Sequence, residues 1–220
     1  MRRRGFTLIE LTVVMAIIAL LLTMAVGAHY SWKRYSALDA AETQVVAMLA
    51  KAREVAISSG RSTIFVYGNY TFTYGDDVLQ NTLLMHSSDR TTNAPAGWCC
   101  ILSMSNAVDF ASTFEEFERA DDKTEYPLVG SVLKFERPVL WGLVEDAHNG
   151  MGPDYEGSRY NFFLPDGSLA EAVYAPQGCT TNVLYGAQWA EYPANRRVIE
   201  ILPRSGAARA LTREERERIW

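Results

Sequence analysis

From Phe6 to Ala28 the chain is apolar almost without interruption, and that is the length at which a helix crosses a bilayer. Glu10 is the only charged residue in the run. A carboxylate at membrane depth costs about 2.5 kcal/mol or more unless it lies near the interface or meets a partner, so its presence asks for a reason. Between Thr7 and Ser58 there is no proline and only one glycine, Gly27, so the helix is predicted to continue beyond the span. Past Tyr30 the pattern turns amphipathic: Leu38, Ala41, Val45, Leu49, Ala52 and Ala56 recur at helical spacing, opposite Asp39, Thr43, Lys51 and Glu54. That stripe predicts a packing face. Ser58-Ser59-Gly60 supplies the stop, with glycine at the left-handed position, and a helix from Phe6 to Ser58 would be ~80 Å long.

From Arg61 the period changes to that of strands. "STIFVYGNYTFTYG" sets two aromatic and β-branched runs on either side of Gly68-Asn69, which predicts a hairpin there. Val78 to His86 and Trp98 to Met104 are further strand candidates, and Asp109 to Arg119 is predicted to be a short helix with an aspartate cap. Ser131 to Val144 is either two strands or one interrupted at Pro138. "RYNFFLPDGSLAEAVYAP" is a hairpin with Pro165-Asp166-Gly167-Ser168 as its turn. "RRVIEILPRSGAAR" is a last strand with Gly206 in the turn, and Leu211 to Trp220 is a charged tail helix starting at a Thr212 cap. The predicted class is α+β: a long N-terminal helix, its first half transmembrane and its second half amphipathic, packed on a mainly antiparallel sheet. Without a repeat or a low-complexity linker, the head is expected to be one domain.

The chain has 220 residues, 48% hydrophobic and 21% charged, enough for an anchor plus one head with a proper core. Net charge is −5 although Arg2, Arg3 and Arg4 are bunched at the start, so the remainder is more acidic still. General nucleic-acid binding is therefore not expected. The three cysteines, Cys99, Cys100 and Cys179, lack zinc spacing. In an oxidising compartment Cys179 pairs with Cys99 or Cys100 and leaves one thiol over; otherwise the three are small buried hydrophobes.

A basic cluster ahead of an apolar run keeps the N-terminus in the cytoplasm and sends the following segment across. A secretory signal peptide, cut after the small residues Val26 to Ala28, has that form, but its apolar core is normally about 7 to 15 residues. A plain anchor explains the length and leaves Glu10 and Gly5-Phe6 without a role. "RRRGFTLIELTVVMAIIALLLTM" closely resembles the class III leader of type IV prepilins and type II secretion pseudopilins, and this accounts for all of these features together. The resemblance implies cleavage between Gly5 and Phe6 by a prepilin peptidase, N-methylation at Phe6, and an assembly role for Glu10. The physics agrees: the new ammonium at Phe6 lies four residues before Glu10, at a helix end that is itself partly positive, and in lipid such a pairing is a strong register signal.

The organisation implied is a leader at 1–5, a transmembrane and filament-core helix at 6–29, its amphipathic continuation at 30–59 and a β-rich head at 60–220. "AKAREVAISSGRSTIFVYG", "FFLPDGS" and "RRVIEILPRSGAAR" are similar to segments of the H-type minor pseudopilins and fimbrial T-like proteins. The function this resemblance implies is that of a minor structural subunit of a type II secretion pseudopilus, with other pseudopilins or pilins as partners. It would sit as a single-pass protein of the bacterial inner membrane, N-terminus cytoplasmic and head periplasmic. The alternatives are a minor type IV pilin for adhesion or DNA uptake, and a membrane-anchored binding domain outside any filament.

No catalytic residue is assigned. His29, His86 and His148 are scattered, and no G-x-S-x-G, H-E-x-x-H or P-loop pattern occurs. Asp146, Asn149, Asp154 and Glu156 gather oxygen ligands of the kind that hold Ca²⁺, as some major pseudopilins do. Their spacing is not that of an EF-hand, so a solvated turn is expected and no cofactor is assigned. Glu214, Glu215 and Glu217 offset the arginines of the C-terminal end at helical spacing. Trp98, Trp141, Trp189 and Trp220 are expected to be core or interface anchors, while Trp32 and Tyr30 suit the aromatic belt at a membrane surface.

Overall fold

The computed structural model describes residues 8–69, 72–74, 77–79, 82–86, 91–104, 126–135, 139–142, 158–170, 180–186 and 196–219. The chain falls into two compact units, Met1–Ser36 and Ala37–Trp220. Helix α1, Leu8–Ser59, is 52 residues long and supplies all of the described part of the first unit. Its apolar stretch contains polar hydroxyls that a membrane would not satisfy, and the helix satisfies them itself: Thr12 Oγ1 donates to the Ile9 carbonyl at 2.9 Å and Thr23 Oγ1 to the Leu20 carbonyl at 2.7 Å.

In the second unit the predicted packing face is the observed one. Leu38, Ala41, Val45, Leu49, Ala52 and Ala56 are all buried. The helix ends where the sequence placed its stop, with Gly60 at φ 64° in the left-handed region that glycine enters without steric cost.

The strands are β1 Thr63–Gly68, β2 Phe72–Tyr74, β3 Asp77–Leu79, β4 Thr82–His86, β5 Thr91–Pro95, β6 Trp98–Ser103, β7 Leu133–Lys134, β8 Val139–Gly142, β9 Ser158–Phe163, β10 Thr180–Gly186, β11 Arg196–Ile201 and β12 Ala208–Ala210. One four-stranded sheet runs β7-β6-β1-β9 and another runs β12-β11-β10-β8. Two ribbons, β2-β3 and β4-β5, complete the described strands. Every ladder among these strands is antiparallel, as the α+β class requires.

Alternation along β1 divides the interior in two. Phe65 and Tyr67 face a core with α1, Cys99, Ile101, Trp141, Leu184, Ile199 and Ile201. Ile64 and Val66 face a second core with Trp98, Cys100, Leu102, Tyr126 and Phe162. The first sheet is thus buried on both faces, which is why its central strand carries apolar residues without the half-polar alternation of a surface sheet.

The expected hairpin at Gly68-Asn69 does not form. β1 pairs with β6 and β9, while β2 pairs with β3. A strand buried along its whole length needs partners on both edges, and here both come from distant sequence. The segment Val78 to His86 is two strands with different partners, and Ser131 to Val144 divides into β7 and β8 in different sheets. β10 lies in a segment where no strand was expected. The turn at Pro165 to Ser168 is present, closed by the Phe163–Leu169 bridge, while the rest of the expected return arm, 171–176, lies outside the described residues; the β11-β12 hairpin is present with Gly206 at φ 63°.

Helix α2, Arg213–Ile219, follows the Thr212 cap as predicted. Thr212 and Glu215 form a reciprocal capping box: the Glu215 amide donates to Thr212 Oγ1 at 3.3 Å and the Thr212 amide donates to Glu215 Oε2 at 2.8 Å.

Candidate functional site: the N-terminal helix

The expected processing site, Gly5 and Phe6, lies outside the described residues. Glu10 lies within them, in the first described turn of α1, toward the end of the helix where the axial dipole favours negative charge. It falls within Leu8–Val26, a 19-residue window long and apolar enough to cross a membrane, none of which is buried. Leu8 is 82% exposed and Met24 66% exposed, an apolar surface of the kind that lipid or another helix covers. Just past the window, the rings of His29 and Trp32 stand one turn apart with centroids 6.5 Å apart, and Trp32 is 67% exposed.

In the second unit, polar contacts fix the amphipathic half of α1 to the sheets. Arg197 on β11 is buried and donates through Nε and Nη2 to Asp39 Oδ1, at 2.8 and 2.6 Å, with Glu42 Oε2 3.8 Å from its Nε. Thr63 Oγ1 donates to the Ala52 carbonyl at 2.8 Å, and Arg53 Nε donates to the Ser205 carbonyl at 2.6 Å. These join α1 to β1 and to the β11-β12 turn. Sequence spacing offered no signal for them, since Arg197 and Asp39 are 158 residues apart.

Asn69, predicted to lie in a turn, is a buried link between the sheets. Its Nδ2 donates to the Trp141 carbonyl at 2.8 Å and its Oδ1 accepts from the Trp141 amide at 2.7 Å. Cys99 and Cys100 are buried free thiols on opposite faces of β6, one in each core. Burial pushes the Cys100 thiol up to about 12; burial and the neighbouring Cys100 raise Cys99 well above its ordinary value. Both are protonated at neutral pH, which suits packing and not nucleophilic chemistry. The third cysteine, Cys179, lies outside the described residues, as do Asp146, Asn149, Asp154 and Glu156 and the helix expected at Asp109 to Arg119.

The family model of the prokaryotic N-terminal methylation motif matches residues 1–26. No curated protein and no solved structure matches the chain. The N-terminal segment is therefore a prepilin-type leader with its methylation motif, the N-terminus of type IV pilin-like and pseudopilin subunits. It runs into an apolar helix, the one such helix among the described residues, that suits a single-pass membrane anchor, and the described head has the α+β layout of a pilin-like protein. Processing by a prepilin peptidase and assembly with other pilins follow from the motif.

Proposed function

We propose that this chain is a minor, non-enzymatic subunit of a type II secretion pseudopilus. A prepilin peptidase cuts between Gly5 and Phe6 and the new terminus is methylated. The apolar helix holds the protein in the inner membrane with its head outside the cytoplasm, and later packs among the helices of other pseudopilins.

The observation that carries this reading is the methylation motif at residues 1–26 running directly into an apolar helix with no buried surface. Glu10 gives the helix its assembly register: in lipid, a carboxylate that meets the Phe6 ammonium of its own or a neighbouring chain avoids the cost of standing alone. The minor-subunit assignment rests on the resemblance of the segments around Pro165 to Ser168 and Gly206 to those of H-type minor pseudopilins and fimbrial T-like proteins.

A tagged full-length chain tests this. It is expected to recover pseudopilins from detergent extracts of its host, and the Glu10→Ala variant, still inserted and cleaved, is expected to recover far less. Recovery of pilus subunits instead of pseudopilins moves the protein to a type IV pilus, and recovery of neither contradicts the filament role.

A further inference from the structure

We infer that the turn of α1 just beyond the apolar window, from His29 to Arg34, is a binding site for anionic phospholipid headgroups in the leaflet opposite the N-terminus. This rests on the membrane-anchor and leader-removal parts of the proposed function and not on the filament role.

The charge pattern is the first ground. Lys33 and Arg34 are the first basic residues after Arg4, and no acidic residue occurs between Glu10 and Asp39. The leader arginines orient the chain during insertion and leave with the leader. Positive side chains next to the span of the trimmed chain are then confined to the opposite side. In sequence no carboxylate lies closer to these two cations than Asp39, and a lipid phosphate is the complement of such a pair.

Depth is the second ground. The apolar run closes at Ala28, so Trp32 lies about 6 Å further along the helix axis and Lys33 and Arg34 about 8–9 Å. The headgroup layer is about 5–7 Å thick on each side of the hydrocarbon. Lysine and arginine stems are long enough to bring their charges back into that layer. The third ground is the ring pair: His29 and Trp32 meet on one side of the helix, and Trp32 is 67% exposed, the disposition of an amphipathic ring that sits among headgroups.

The test places the mature full-length chain in phosphatidylcholine bilayers carrying an equal small share of either brominated phosphatidylglycerol or brominated phosphatidylcholine, and reads quenching of tryptophan emission. Brominated phosphatidylglycerol is expected to quench more strongly. The preference should fall by about fivefold for each cation removed, as the attraction of one Lys or Arg to an anionic surface implies. It should therefore be lost in K33Q/R34Q and retained in K33R/R34K, and Trp32→Phe should abolish the lipid-dependent signal, which identifies the reporter. Equal quenching by the two lipids in the wild type, or an unaltered preference in K33Q/R34Q, overturns the site. Failure of the chain to float with the vesicles would instead contradict the anchor reading itself.

Discussion

The side chain of Asn69 pairs with the main chain of Trp141 as a neighbouring strand would, giving one hydrogen bond and taking another at 2.8 and 2.7 Å. β1 and β8 belong to different four-stranded sheets, and this amide joins them where no backbone ladder does. Trp141 is held at its other end as well, its indole Nε1 donating to the Trp98 carbonyl at 3.0 Å. Replacing Asn69 by alanine strands a buried donor and a buried acceptor, each costing about 1–3 kcal/mol. Asn69→Ala is accordingly expected to lose about 3 kcal/mol in a urea titration of the full chain in detergent, and Asn69→Asp, which keeps only the acceptor, should also be destabilised. A change below about 0.5 kcal/mol, the range of ordinary surface substitutions, would show that the link is dispensable.

The contact of Arg197 with Asp39 is asymmetric. The arginine side chain is 9% exposed and the aspartate 59%. Truncating the arginine removes its packing and leaves Glu42, whose side chain is only 16% exposed, without that cation nearby. Removing the solvated carboxylate forfeits little more than a surface pair, about 1 kcal/mol or less. Arg197→Ala should therefore lower the unfolding midpoint clearly more than Asp39→Asn. Equal losses would mean that the pair acts as an exposed ion pair only.

Glycine is required at Gly206 for two reasons and at Gly60 for one. Both adopt positive φ, which costs other residues roughly 1–2 kcal/mol. A Cβ on Gly60 meets open space, whereas one on Gly206 would stand 1.9 Å from the Gly167 carbonyl oxygen, so the two hairpin turns would have to separate. Gly60→Ala should cost about 1 kcal/mol, and Gly206→Ala well above that. Thermal unfolding of the two variants side by side checks the order.

The buried thiols make stability fall at alkaline pH. Their folded pKa values lie above the ordinary 9.0, so the contribution is fully present below pH 9.0 and is lost as the pH rises toward about 12 for Cys100. Above pH 9.0 the unfolded chain releases thiol protons that the folded chain keeps, which favours unfolding. Cys99→Ala/Cys100→Ala should show a shallower decline of stability between pH 9 and 11 than the wild type, once the offset at pH 7 is subtracted. Parallel curves for the two proteins would contradict burial of the thiols.

What was legible in the sequence follows from how local its physics is. The C-terminal end of α1 and all six residues of its packing stripe come from periodicity and from one glycine stop, and the structure keeps them. The Thr212 cap and the two late hairpins are likewise written in neighbouring residues. The partners of β1 are not, because a strand buried on both faces has no alternation to reveal its register and its neighbours lie about 35 and 95 residues away. Asn69 was misplaced for the related reason that asparagine favours turns by default, and only the approach of Trp141 gives its amide another use. At the N-terminus, basic residues, Gly5, Phe6, Glu10 and the apolar run stand in register over a short stretch, and the same region carries the family match.

Residues 1–5 are proposed as an address that is removed and Phe6 as the mature end. Intact-mass and N-terminal peptide spectrometry of the protein taken from membranes with an active prepilin peptidase decides it. The expected chain begins at Phe6 and carries one methyl group on its amine. A chain that begins at His29, or one that retains Met1 through Gly5, would contradict it.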